Sequence, residues 1–341
     1  MPAKHVTAYP LIRLWLWSVA GLIFAMVLIG GATRITDSGL SITEWQPLVG
    51  VVPPLDEAGW NAAFEKYKAT PEYRIVNKDM SLSAFKFIYW WEWTHRFLGR
   101  LIGFAVLVPL AFLWATQRLE SRTARSMMLL LVLGGAQGAL GWYMVTSGLA
   151  DRTDVSQYRL AAHLTLAAAI YAMVVWIALG IGTPGRRVDT GKARAALGIV
   201  LLILAQISVG GLVAGLDAGL SHNTFPLMDG KLVPDGLMVM SPLWRNLFEN
   251  ALTVQFVHRI MAYAVGLAVF LHALGLTRSR GGGGREISGW VLFSIVLVQM
   301  GLGVATLLLG VPLPLALFHQ AGAMLLLTAA VIHLHLIIRK I

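Results

Sequence analysis

The sequence predicts an all-α integral membrane protein whose eight transmembrane helices form two parallel, pseudo-two-fold four-helix-bundle repeats. Three observations predict it. First, 57% of the 341 residues are hydrophobic and only 13% charged, against about 25% charged in ordinary globular chains. Second, eight apolar runs each approach the ~20 residues that cross ~30 Å of hydrocarbon at 1.5 Å per residue. Third, the two halves carry the same motifs in the same order.

The runs are residues 11–33, 87–116, 126–147, 157–182, 195–216, 247–276, 288–310 and 315–338. The first is too long for a signal-peptide core and lacks a convincing cleavage site, so it reads as a retained anchor. With the N-terminus in the cytoplasm, the inside segments hold Lys4, Arg13, Arg118, Arg122, Arg125, Arg186, Arg187, Lys192, Arg194, Arg278, Arg280, Arg285, Arg339 and Lys340. Their acids are Glu120, Asp189 and Glu286, which leaves +11 inside and −1 outside. The net charge of +10 is thus a topology signal, with both termini cytoplasmic and no need of nucleic acid to explain it. Zero cysteines exclude disulfides, zinc–thiolate sites, thiol catalysis, iron–sulfur clusters and covalent c-type haem.

Two long connections fall outside, residues 34–86 and 217–246. The first holds an amphipathic stretch, Asp56 to Lys68, expected as a short helix near the surface with Trp60 and Phe64 on one face. Gly281 to Gly284 predict a flexible inner loop.

The repeat sets residues 1–183 over 195–341. Gly30-Gly31, Asp37 and Gly39-Leu40-Ser41 match Gly210-Gly211, Asp217 and Gly219-Leu220-Ser221 at a constant offset of 180. Glu92-Trp93-Thr94-His95-Arg96 matches Gln255-Phe256-Val257-His258-Arg259, and Gln137-Gly138-Ala139-Leu140-Gly141 matches Gln299-Met300-Gly301-Leu302-Gly303. Four spans return the chain to its starting side, so the halves are parallel and related by an axis along the membrane normal.

Four of nine histidines recur: His95 and His163 in the first half, His258 and His319 in the second. They fall on the second and fourth helix of each unit, at similar depth near the outer face. Two imidazoles facing across a four-helix bundle are what a bis-histidine haem requires. A single buried histidine is more often a hydrogen-bonding residue, but pairing in both repeats favours ligation over that reading. Zinc or copper fits less well, because carboxylates are missing from three of the four neighbourhoods.

Arg96, Arg100, Arg159, Arg245 and Arg259 lie in the same outer zone, suited to haem propionates or to snorkelling at the interface. Gly134, Gly135, Gly138, Gly141, Gly301 and Gly303 allow close approach, by a neighbouring helix as readily as by a macrocycle. One difference between the halves stands out: Glu92 is replaced by Gln255. Glu92 and His95 are i and i+3, on one helix face, and a carboxylate there can accept a proton where an amide only hydrogen-bonds. An ion pair with Arg96 or Arg100 is the purely structural alternative. The asymmetry makes the first half the chemical one and the second its support.

The duplicated spans, Glu92-x-x-His95-Arg96, His163, and the pair His258 and His319 together resemble the haem A synthase family over nearly the full length. The run Gly30-Gly31-Ala32-Thr33-Arg34-Ile35-Thr36-Asp37-Ser38-Gly39-Leu40-Ser41 and the following Trp45-Gln46-Pro47 are similar to that family's signature. The resemblance implies conversion of haem O to haem A. The C8 methyl group is oxidised to a formyl group by successive hydroxylations, with water as oxygen source. It also implies that His258 and His319 ligate a resident haem b, that His95 and His163 bind the substrate haem, and that Glu92 is the catalytic carboxylate. Some relatives carry a cysteine pair in the first outer loop, which this chain lacks.

A rival reading rests on His272 and His333, which follow His258 and His319 at one common spacing. That spacing, nearly four turns and ~21 Å, suits a two-haem cytochrome b passing electrons to or from quinone. The first half argues against it, since the equivalent positions after His95 and His163 are Pro109 and Ile177. The other reading makes His272, His333 and His335 interfacial residues at helix ends. A transporter is weaker still, with no broken helix or midplane charge cluster. The short N-terminus, free of an Arg- and Ser-rich transit segment, favours a bacterial inner membrane. The resemblance adds candidate partners: an electron acceptor, haem O synthase as the source of haem O, and a second copy of the chain in a homo-oligomer.

Overall fold

The computed structural model describes residues 9–46, 49–116, 120–150, 152–182, 190–279 and 283–338. Lys4, Pro47, Arg118, Arg186, Arg187, Asp189, Arg280, Gly281, Gly282, Arg339 and Lys340 lie outside the described residues, as does the side chain of Arg122. Eight long helices are apolar enough to cross a membrane. They are α1 Tyr9–Ile35, α2 Leu82–Ala115, α3 Ser121–Ala150, α4 Gln157–Gly180, α5 Thr190–Gly215, α6 Ala251–Arg278, α7 Gly284–Leu308 and α8 Leu313–Ile338. Among the described residues the only β pairing is an isolated bridge, Met228 with Lys231.

The helices close into two rings. In one, α1 and α3 each pack on both α2 and α4; in the other, α5 and α7 each pack on both α6 and α8. The rings meet where α4 lies on α5, α1 on α8, and α4 on α8. The apolar core concentrates at that seam, with Leu16, Val19, Ala168, Val175, Ile203 and Leu327 all buried. Outward-facing residues such as Leu14, Phe104, Val132 and Leu267 stay exposed, as they must where the surrounding solvent is lipid.

Both glycine pairs sit at close approaches. A Cβ on Gly31 would collide with Gln320 of α8, whose Nε2 donates to the Val27 carbonyl (2.8 Å). A Cβ on Gly211 would come within 2.8 Å of the Ala161 backbone on α4. The second glycine of each pair therefore lets the rings touch.

The outer helix expected over Asp56 to Lys68 forms as Glu57–Lys68, with Asp56 as N-cap accepting from the Gly59 N–H (2.8 Å). Its apolar face turns onto the protein itself. Trp60, Phe64 and Tyr67 bury against Phe85, Ile88 and Tyr89. That partnership explains why α2 begins at Leu82, capped by Ser81, rather than at residue 87. The start of α6 moves the other way. Asn246–Glu249 is a separate short helix, and Asn250, with extended backbone, caps α6 through Leu252 N–H (3.1 Å). At the inner side the expected glycine loop is cut short, since Gly284 already begins α7.

Candidate functional site: two imidazole pairs and a buried carboxylate

His95 on α2 and His163 on α4 are near enough for their charges to interact, as are His258 on α6 and His319 on α8. Each imidazole rests on a glycine of the preceding helix in its ring. A Cβ on Gly30 would lie 2.9 Å from Cε1 of His95, and on Gly210 3.3 Å from Cε1 of His258. The same holds for Gly141 with His163 (2.9 Å) and Gly303 with His319 (2.8 Å). A Cβ on Gly134, Gly135, Gly138 or Gly301 would meet nothing within 4 Å among the described residues, so no close helix approach requires a glycine there.

Three glutamines reach three of these rings. Gln137 Nε2 donates to the His163 carbonyl (3.0 Å) and lies 3.1 Å from its Nδ1. Gln206 does the same at His258 (3.0 and 3.2 Å), and Gln299 at His319 (2.8 and 3.1 Å). Gln137 and Gln299 belong to the repeat motif, and the spacing of Gln206, four before Gly210, is the sequence signal for the third.

Glu92 is 3% exposed and fully engaged. Its Oε2 accepts from Ser41 Oγ and the Ile42 N–H (both 2.7 Å), and its Oε1 from Arg96 Nε (3.0 Å) and Nη2 (2.6 Å). The Glu92–Arg96 ion pair is thus present, and the carboxylate faces the outer loop rather than lipid. Arg96 spends its remaining capacity on the carbonyls of Glu44 and Ile42 (2.8 Å each). Arg259 holds the carbonyls of Thr224 and His222 (2.9 Å each), the loop positions that match Glu44 and Ile42 in the repeat. Gln255 donates to the Ala218 and Ser221 carbonyls (2.7 Å each) and accepts from Arg259 (3.1 Å). The same clamp therefore closes each outer loop, with a carboxyl group at its centre in the first ring and an amide in the second.

The other arginines separate. Arg100 donates to the Gln46 carbonyl (2.8 Å) beside the first clamp. Arg159 stacks over the Tyr143 ring (3.6 Å) and donates to its carbonyl. Arg245 pairs with Glu249 (2.5 Å) at the exposed surface, where Glu249 also accepts from Tyr158.

Of the inner histidines, two are buried, and one of them, His335, stands in the last turn of α8. His333 and His335 are 1% and 3% exposed, and His335 meets Trp176 edge-on. His272 and His333 share a hydrogen bond, Nε2 to Nε2 at 2.9 Å, with Ser288 on the far nitrogen of His333 (2.7 Å). The two rings therefore bond to each other between α6 and α8.

Whether the outer pairs fit a porphyrin iron can be judged from their own atoms. Among the described residues no group of three or more His, Asp or Glu side chains could hold a metal ion, so a metal held by imidazoles would be held by them in twos. His95 Nδ1, Arg259 Nε and the carboxamide oxygens of Gln137, Gln206 and Gln299 are buried with no partner among the described residues. Paired imidazoles with polar atoms left over in their surroundings would suit a porphyrin iron.

Fold and site together define a multi-pass helical membrane protein built around two imidazole pairs, with an acid clamped beside one of them. The chain belongs to the COX15-CtaA family of cytochrome oxidase assembly proteins, whose family model matches residues 13–331. Among its relatives, the heme A synthase of Mesorhizobium japonicum is 50% identical over 324 residues, 95% of this chain and 89% of that protein. That of Brucella anthropi is 52% identical over 95% of this chain and 91% of its own length. That of a Chelativorans species is 51% identical over 94% and 90%.

Proposed function

We propose that this chain is a haem A synthase, oxidising the C8 methyl group of haem O to a formyl group. His95 and His163 hold the substrate, His258 and His319 hold a resident haem b, and Glu92 serves the reaction. The observation that carries the division of labour is the exchange of Glu92 for Gln255 inside otherwise matching clamps. The contacts that recur at the repeat offset support two parallel four-helix repeats, residues 1–183 and 195–341. The charge bias supports an inner-membrane orientation with both termini cytoplasmic.

The balance is R–CH3 + H2O → R–CHO + 4 H⁺ + 4 e⁻, so the site must release protons and electrons as well as position a methyl group. The resident haem, when bound, supplies a one-electron centre near the substrate. Protons fall to this chain's own residues. Of the four donors on Glu92, three are N–H groups that can only donate; the Ser41 hydroxyl alone can turn and accept. Glu92 and Ser41 are the pair through which a proton can leave toward the outer loop. Haem O, membrane-soluble, reaches the first ring from the enzyme that makes it.

Three variants test this. His258→Ala or His319→Ala removes the haem b spectrum of the purified protein. Glu92→Gln keeps that spectrum while formyl product stops; normal haem A output from Glu92→Gln would end the catalytic assignment. Extracted pigment containing haem O, its hydroxylated form or haem A beside haem b supports the synthase, whereas two haem b per chain opposes it.

A further inference from the structure

The ring glutamines obey one rule. Gln137, Gln206 and Gln299 each stand four residues before the glycine that supports the imidazole they touch: Gly141, Gly210 and Gly303. At the fourth histidine the rule breaks. His95 rests on Gly30, and four residues before Gly30 is Met26, the counterpart of Gln206 at the offset of 180. The Met26 methyl lies 3.2 Å from where a Cβ on Gly99 would stand, one turn below His95. Nδ1 of His95 is buried and has no partner among the described residues.

An imidazole that binds metal through Nε2 carries its proton on Nδ1, and an acceptor there fixes the ring and strengthens the ligand. A glutamine carboxamide offers both a donor and an acceptor, and the acceptor oxygen is partnerless in all three cases. In each case the amide nitrogen bonds the main-chain carbonyl of the histidine whose ring it faces, which anchors the carboxamide beside that ring. A thioether is only a weak acceptor. Three rings are thus held in orientation from the side, and one is not. The exception is the ring that shares a helix face with Glu92.

We propose that Met26 makes His95 the releasable ligand of the first pair, so that this site gives up haem far more readily than the second. The inference rests on the assignment above of the first pair to substrate and the second to a resident haem. A substrate and its product must leave at every turnover, while a resident group must stay. His163, held by Gln137, remains the fixed partner during exchange, and Met26 acts through His95 as a positioning residue.

The test uses the full-length protein in nanodiscs, loaded with ferric haem b and mixed with excess apomyoglobin as haem acceptor. Two phases of transfer are expected, the faster belonging to the first pair. Met26→Gln should slow that phase tenfold or more and strengthen the low-spin bis-imidazole signal in electron paramagnetic resonance. Gln206→Met should speed the slow phase by a comparable factor, within the 10–100-fold that such supporting contacts carry. An unchanged fast phase in Met26→Gln, with His163→Ala abolishing that phase, overturns this inference alone. If the fast phase survives His163→Ala, the assignment of the first pair fails and the inference with it. If Met26→Gln does not fold, Gln206→Met decides: an unchanged slow phase overturns the proposal.

Discussion

Glu72 is a second buried acid, 4% exposed in the first outer loop, with one carboxyl oxygen lacking any partner among the described residues. Burial pushes its pKa from 4.5 up to about 8, against the pull of a hydrogen bond from Tyr67, and the nearby Glu92 adds to the rise. The sign of the consequence is fixed by linkage. Below pH 4.5 folded and unfolded chains both hold the proton; between there and about 8 only the folded chain does. Loop stability is therefore greatest in acid, falls as pH rises toward 8, and levels off above it. Glu72→Gln should flatten that slope, measured as protease nicking of the outer loop against pH. A second prediction concerns Gly303, where a Cβ would stand 2.8 Å from the His319 ring. Gly303→Ala should cost about 1–3 kcal/mol of misfit, read as a 10–100-fold weaker hold on the haem proposed for that pair, with helicity unchanged. Little of this was legible in sequence. The Glu92–Gln255 exchange showed because a repeat makes differences visible. The loop carbonyls that Arg96 and Arg259 hold did not, since main-chain acceptors leave no mark on residue identity.

The helices were legible as elements because lipid imposes length and hydropathy, and their ends were not, because outer-loop contacts set them. The aromatic end of α2 shows this. Phe85 is fully buried between Phe64 (4.9 Å, stacked) and Tyr67 (5.3 Å), so the helix gains a turn to receive the loop. Truncating such a ring costs about 3–5 kcal/mol. Phe85→Ala should free the Glu57–Lys68 helix to proteolysis while leaving the haem b spectrum in place. Simultaneous loss of that spectrum would mean the two rings share the outer cap. At α6 the opposite shift follows from Asn250, whose Oδ1 caps the helix while its Nδ2 holds the Gly236 carbonyl (2.9 Å). A polar residue at an apolar border fixes the start better than hydropathy does.

Across the whole molecule, one cation ties the halves together on the outer side. Arg34, 14% exposed, binds Asp37 (2.9 Å) and Asp217 (2.8 Å), with Asp154 at 3.6 Å. Asp37 and Asp217 both adopt left-handed backbone, at φ 47° and 50°, and each comes from its own half. Arg34→Ala would leave three carboxylates facing one another. With the acids about half exposed, the loss should be near the low end for charged hydrogen bonds, about 1.5 kcal/mol. It should appear as a lower melting temperature that high salt partly restores. Asp217→Asn on the Arg34→Ala background should recover part of the loss; no recovery would show that Arg34 acts only within its own half.

The arrangement of the two rings has a mechanical corollary. The seam is built from α1, α4, α5 and α8, whereas α2 and α6 stand on the perimeter. Every imidazole couple thus draws one jaw from the frame and one from a wall that borders the bilayer. Swinging α2 outward would open the first couple sideways, toward the phase in which a greasy tetrapyrrole dissolves, without unseating the frame or disturbing the couple next door.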